Sequence, residues 1–107
     1  MLVAFSVAPT VAADDTGSLH DAVADAVEIV RASGIPHQTD SMFTTIEGDW
    51  DECMDVVRRC CDALAARSPR VSLVLKADIR PGRAGHGGEL TRKVESVEAE
   101  LARRETK

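Results

Sequence analysis

The apolar residues of this chain recur with two different periods, and each period predicts a different kind of element. Apolar and polar residues alternate over residues 2–8 and within 70–79, which predicts a strand at each place. Residues 37–48 are short and rich in threonine, and predict two strands joined tightly around Asp40 and Ser41. Apolar residues spaced three and four apart predict helices that begin at Ser18, at Trp50 and near Leu90.

Signals at the ends of these segments support the helices. Gly34 and the proline two residues later predict the end of the first helix. Asp49 and Glu52 have the spacing of a reciprocal capping box before the second helix. Pro69 lies just beyond the end of that helix. The third helix has apolar residues spaced four, three and four apart, which predicts a seam that docks on the body or on a second subunit.

The resulting order is strand, helix, strand, strand, helix, strand, with a C-terminal helix added. This order is typical of the α+β ferredoxin-like fold, a βαββαβ sandwich with a four-stranded antiparallel sheet. Right-handed crossovers place the first two helices on one face of the sheet. At 107 residues, we expect one domain over residues 1–107. The other face is left open, and we expect function there.

Strand alternation assigns side chains to the two faces. Val3, Phe5 and Val7 should meet the helices, and Trp50 should anchor the core beside them. Strands one, three and four are neighbours in this topology, so their outward residues should converge. The expected open-face residues are Ala4, Ser6, Ala8, Thr45, Glu47, Ser72, Val74, Lys76 and Asp78.

Composition and charge exclude several classes of partner. The formal net charge of -5 disfavours nucleic acid, and only three aromatic residues are available for stacking on bases. No apolar run approaches the roughly 20 residues of a membrane span. The opening residues lack the cationic start of a secretory signal, so we interpret them as a strand and expect a cytoplasmic protein. Three cysteines in one helical pattern are interpreted as small core residues.

No catalytic or metal-binding pattern emerges. An acylphosphatase needs an arginine in the loop after strand one, and residues 10–17 are acidic and contain none. His20, His37 and His86 fall in separate segments without a nucleophile beside them, and no paired cysteines suit a metal carrier. We therefore expect no enzyme activity, no cofactor and no metal.

Three stretches, VAFSVAPT, MFTTIEGDWDE and PRVSLVLKADIR, resemble the small thiamine-binding protein family. The resemblance covers nearly the whole chain in the right order, and TTIEG followed by WDE is its most specific part. It implies a ferredoxin-like domain that forms homodimers or homotetramers. It also implies binding of thiamine or its hydroxymethylpyrimidine moiety without catalysis. The family usually has glycine where this chain has Phe43, and an acid where it has Ile79.

Aminopyrimidine chemistry suggests roles for the candidate ligand-binding residues. A carboxylate beside hydroxyls suits the ring's exocyclic amino group, so we expect Glu47 to accept from it, with Ser6 and Thr45 completing the hydrogen bonds. Asp78 suits the cationic thiazolium, and Lys76 either pairs with Glu47 or meets a polar tail. Phe43 narrows the pocket, stacks on the pyrimidine or fills the pocket. The expected ligand-binding set is Ser6, Phe43, Thr45, Glu47, Ser72, Lys76 and Asp78.

An alternative function class uses the same face differently. Strand four is apolar and lies at a sheet edge in this topology, which favours pairing with another chain. The protein could therefore be an oligomeric structural or interaction module with no small-molecule ligand.

Overall fold

The chain folds into one four-stranded sheet with helices against both faces. A computed structural model describes residues 1–10, 18–81 and 88–105. The elements are β1 (Leu2–Pro9), α1 (Ser18–Ala32), β2 (His37–Thr39), β3 (Thr44–Glu47), α2 (Trp50–Ala65), β4 (Val71–Asp78) and α3 (Glu89–Glu105). The sheet order is β2-β3-β1-β4, and every pair is antiparallel. The predicted ferredoxin-like fold is confirmed.

The predicted helix signals are present in the structure. The Asp49 side chain accepts from the Glu52 amide at 2.8 Å, and the Glu52 carboxylate accepts from the Asp49 amide at 3.1 Å. This capping box satisfies amides in the first turn of α2, which otherwise have no helical partner. After α1, Gly34 has a φ of 78°, the left-handed conformation that favours glycine. The connection after β1 and the Gly-rich segment containing His86 lie outside the described residues.

The core lies between the sheet and the pair α1 and α2. Val3 and Phe5 of the central strand are buried as predicted, and Ile46 lies directly across from Val3. The other core residues are Met1, Ala22, Val30, Ile35, Cys53, Val56, Val57, Cys60 and Leu64. Because aliphatic side chains and thiols fill this space, the core needs only one aromatic ring, that of Phe5.

The sequence prediction for Trp50 is wrong. Trp50 begins α2, and 56% of the residue is exposed. The buried side of α2 is instead formed by Cys53, Val56, Val57, Cys60 and Leu64. Trp50 lies three residues before Cys53 and so on the same side of the helix. It is nevertheless exposed, because it precedes the first full turn of α2 that packs on the sheet. The indole is therefore left at the rim.

The outer face is the name used below for the side of the sheet opposite α1 and α2. The register places there Leu2, Ala4, Ser6, Ala8, Gln38, Thr45, Glu47, Ser72, Val74, Lys76 and Asp78. This face is not wholly open, because α3 starts against it at β3: the Leu90 amide donates to Glu47 Oε1 at 3.4 Å. No described helix combines the length and apolar character needed to cross a bilayer.

Candidate functional site

The strand register brings the predicted outer-face residues together in rows. Ala4 lies between Thr45 on β3 and Lys76 on β4, and Gln38 on β2 extends the row beyond Thr45. Leu2 likewise lies between Glu47 and Asp78. Residues directly opposite each other in an antiparallel pair have side chains within contact distance. The predicted convergence of strands one, three and four is therefore present in the structure.

Glu47 occupies a different environment from the rest of this face. Its residue is only 1% exposed, and its carboxylate accepts the hydrogen bond from the first turn of α3. A buried carboxylate needs such donors to replace lost water. A ligand's amino group could reach this oxygen only beside, or in place of, the Leu90 amide. Glu47 therefore contributes to the position of α3, whatever else it binds.

A cavity of about 250 Å³ lies on a different part of the sheet, between β1, α1 and the β2–β3 hairpin. One wall is apolar and includes Val23, Val27 and Val30 of α1. The opposite wall is the hairpin, residues 39–44, and the floor is formed by residues 5–8 of β1. Ligand sites are concave and mostly apolar with a few placed polar groups. This cavity has that character.

The cavity lies where the central strand loses one neighbour. β3 pairs with β1 only from Leu2 to Phe5, whereas β4 pairs with β1 as far as Pro9. Along residues 6–8, the β1 main-chain groups on the β3 side have no strand partner in the described part of the chain. These are the N–H and C=O of Val7, because Ser6 and Ala8 direct their main-chain groups to β4, and they border the cavity together with the core-directed Val7 side chain. Such groups can hydrogen-bond a heterocycle.

Asp40 supplies a fixed negative charge at the cavity. Its Oδ1 accepts from the amides of Met42 and Phe43, both at 2.8 Å, and its own amide donates to the Phe43 carbonyl at 2.9 Å. The two amide donors lower the pKa of the Asp40 carboxyl below its ordinary value. Asp40 is exposed and ionised, so it suits a cation at the cavity mouth.

The structure divides the seven predicted ligand-binding residues between two surfaces. Phe43 is half-buried and lines the cavity, and Ser6 borders it. The outer face carries Thr45, Glu47, Ser72, Lys76 and Asp78. Ser6 also belongs to the outer face through its pairing with Val74. Phe43 and the outer-face charges therefore do not belong to one site.

Sequence reasoning missed the α1 wall and the role of the turn. The apolar spacing of the first helix does not show that Val23 is 47% exposed beside the cavity. The sequence pattern places Asp40 in the turn but does not predict a role for it at a cavity. The sequence does contain a signal for this turn, because an aspartate side chain in a turn commonly accepts hydrogen bonds from main-chain amides that follow it. The sequence does not show that β3 ends early enough to leave a cavity beside it.

Among the side chains that the structure describes, the remaining reactive ones give no second site. His37 is exposed, and its Nδ1 lies 3.0 Å from the Ile35 carbonyl oxygen. Burial raises the pKa of the Cys53 and Cys60 thiols to about 11, so both are protonated near neutral pH. Within residues 1–10, 18–81 and 88–105, no three histidine, cysteine or acidic side chains group to hold a metal ion.

Comparison with known proteins identifies the family. A family model described as thiamine-binding protein matches residues 3–98. The chain belongs to the thiamine-binding protein family. A UPF0045 protein of Mycobacterium bovis is 50% identical over 106 residues, covering 98% of each chain. A UPF0045 protein of Synechocystis is 34% identical over 80 residues, covering 74% of this chain and 64% of that protein.

Solved structures of similar chains have the same fold. A domain of unknown function, DUF77, from Bacillus cereus has a TM-score of 0.68 at 33% identity, covering 78% of each chain. A Thermotoga maritima protein provisionally assigned to thiamine biosynthesis or salvage has a TM-score of 0.68 at 26% identity, covering 86% of this chain and 96% of that one. A Methanocaldococcus protein reaches a TM-score of 0.75 at 23% identity, covering 91% and 94%, which supports the fold alone.

Proposed function

We propose that this member of the thiamine-binding protein family binds thiamine or a related hydroxymethylpyrimidine compound and catalyses no reaction on it. The observation that carries the proposal is the cavity between α1 and the hairpin, which combines an apolar wall with unpaired strand groups and an ionised Asp40. Its volume of about 250 Å³ suits one substituted ring. Binding pockets for larger ligands span about 300–1,000 Å³.

The cavity residues match the two halves of thiamine. The pyrimidine lies between Phe43 and the α1 wall, where an aromatic ring and aliphatic groups cover its faces. The main-chain N–H and C=O of Val7, which point to the β3 side, meet a ring nitrogen and the amino group. The cationic thiazolium lies at the mouth beside Asp40. Fixed carboxylates and aromatic faces both attract such a cation.

The outer face is the alternative location for the ligand. There Thr45, Lys76 and Asp78 surround small residues of β1, and a second subunit would cover them. Flat, exposed sheet surfaces exclude water poorly until a partner covers them. The cavity exists within one chain, which is why we place the ligand there and assign the outer face to self-association.

Self-association as a homodimer or homotetramer is the second part of the proposal. β4 is an edge strand, and Leu73 and Val74 on its two faces are 43% and 56% exposed. Edge strands with exposed apolar side chains favour pairing with a second chain. The same observation supports the competing function class, an oligomeric module without a ligand. The ligand titration below separates the two.

A cytoplasmic location and the absence of catalysis complete the proposal. The three cysteines are free thiols in the structure, which suits a reducing compartment. Thiol nucleophiles work as thiolates, and the raised pKa values of Cys53 and Cys60 oppose that form. A carrier or sensor role requires only reversible binding.

Calorimetric titration with thiamine and with hydroxymethylpyrimidine tests the proposal. We expect saturable binding of both by the native protein. Val23→Trp should block binding, because Val23 lines the cavity and is exposed enough to accept a larger side chain. Ala99→Trp on α3 is the matched control and should bind normally. Lys76→Ala tests the outer face and should leave the affinity unchanged.

Asp40→Asn tests the recognition of the cation. The asparagine oxygen still accepts from the Met42 and Phe43 amides, so the turn is kept while the charge is lost. Thiamine affinity should fall about two- to fivefold, the range of an exposed charge pair. Affinity for the neutral pyrimidine should not change.

Loss of binding in Lys76→Ala but not in Val23→Trp would move the site to the outer face. No saturable heat from folded native protein would contradict the proposed function.

A further inference from the structure

Helix α3 carries an exposed apolar ridge, defined here as Val97 and Leu101. The two residues are 59% and 47% exposed and lie one helical turn apart, on the same side of α3. α3 has 17 residues, about 25 Å of helix. Its first turn meets the body through the hydrogen bond from Leu90 to Glu47. Because the ridge is exposed, the later turns of α3 do not pack these two residues against the sheet of the same chain.

The dimensions of the molecule agree with a projecting helix. The radius of gyration is 16.2 Å, and the longest extent is 55 Å. A compact domain of this length has a radius of gyration of about 13 Å. The difference indicates that α3 extends from the body instead of folding back along it. Two apolar residues are thus presented to solvent on an extended arm.

The outer face has an uncovered half that is complementary to this ridge. On β4, Val74 is 56% exposed and Lys76 is exposed. Their partners across β1 are Ser6 and Ala4, both small. Large residues on the edge strand beside small residues on the central strand form a shallow trough. A helix that presents two aliphatic side chains can pack into such a trough.

We propose that the α3 ridge of one copy of this chain packs on the β1–β4 half of the outer face of a second copy. The exchange is reciprocal, so a two-fold axis relates the copies and each interface covers both exposed surfaces. This proposed interface rests on the self-association part of the proposed function and is independent of ligand binding.

Charge complementarity favours a second copy as the occupant. Lys76 is a cation on the uncovered half of the outer face. Glu98 follows Val97, about 100° around the helix, and Glu105 lies on the same flank two turns later. The ridge therefore carries acids along one side, where Lys76 of the second copy can meet Glu98. The chain holds both halves of this charge pair.

Sedimentation of the full chain across a concentration series tests the interface. Leu101→Glu should raise the dimer dissociation constant about tenfold or more, because burial of a leucine is lost and a charge is introduced. Ala99→Glu is the matched control: it lies about 200° from Leu101 on the same helix and should not change self-association. Circular dichroism checks that both variants keep their helices.

A charge exchange tests which surface the ridge meets. Lys76→Glu and Glu98→Lys should each weaken self-association several-fold, and the double variant should restore it. If Leu101→Glu weakens association but Lys76→Glu does not, the ridge meets another surface, such as a second α3, and the proposed interface is wrong. If Leu101→Glu has no effect on an oligomeric protein, the ridge takes no part and the inference fails.

The parent proposal fails in a distinguishable way. A native chain that stays monomeric at every concentration contradicts self-association itself. Titration of thiamine into the same sample then tests ligand binding separately, because the cavity lies within one chain.

Discussion

The carboxylate of Glu47 accepts a main-chain hydrogen bond from the first turn of α3 while it is almost fully buried. Amides at a helix start carry partial positive charge and lack a helical partner, so they suit an oxygen acceptor at this position. The same contact joins the last helix to a strand in the middle of the sequence. One side chain therefore connects the sheet to the arm that we propose to mediate self-association.

Replacement of Glu47 should loosen α3. Glu47→Ala leaves the part-buried Leu90 amide without this acceptor, a loss of about 0.5–1.5 kcal/mol in the free energy of unfolding. Hydrogen exchange should become faster at Leu90 and in the following turn. Glu47→Gln keeps an oxygen acceptor and should recover part of the protection. Glu95→Ala, an exposed change on the same helix, serves as the control. Unchanged exchange at Leu90 in Glu47→Ala would show that the contact does not hold α3.

The buried thiols should make the fold sensitive to alkali. Burial raises the pKa of Cys53 and Cys60 from 9.0 to about 11, so the folded state disfavours their ionisation. The unfolded chain releases these protons first as the pH rises. Their contribution to stability is complete below pH 9 and is lost progressively toward pH 11. Thermal unfolding followed across this range should show a falling midpoint. Cys60→Ala should show a smaller decrease, and an equal decrease would exclude Cys60 as a cause.

At the scale of elements, the start of α2 depends on a reciprocal pair of side chains. Asp49→Ala removes the acceptor of the Glu52 amide and should cost about 1 kcal/mol in the free energy of unfolding. Denaturant unfolding measures this loss. Asp51→Ala is the control, because Asp51 is also an acid in the first turn but is not the N-cap. Equal losses in the two variants would assign the effect to charge near the helix start instead of the cap.

Most of the helices and strands could be predicted from local sequence patterns. The capping box and the alternation of Val3 and Phe5 were sufficient to predict α2, β1 and the buried face of β1. These features depend on neighbours within a few residues, so they are visible in sequence. The exposure of Trp50 is not visible in this way, because it depends on where α2 first touches the sheet. Apolar character alone does not place a residue at the end of a helix.

At the scale of the whole molecule, the topology followed from the order of elements, but the path of α3 did not. The apolar spacing predicted a seam, and either the body or a second subunit could have covered it. Only the structure shows Val97 and Leu101 exposed and the helix attached at Glu47. The candidate site was divided for a similar reason: the lengths of β3 and β1 decide where the cavity lies, and no local pattern reports that difference.

The position of Trp50 also determines which optical signals can report on this protein. The chain has one tryptophan and no tyrosine, so its near-ultraviolet absorbance and intrinsic emission come mainly from a single indole that is 56% exposed. The emission of the native state should already resemble that of a solvated indole, and unfolding should shift it little. A flat fluorescence trace during denaturation would therefore not mean that the chain stays folded. Far-ultraviolet circular dichroism, which follows the three helices, is the signal to use for every stability measurement described above.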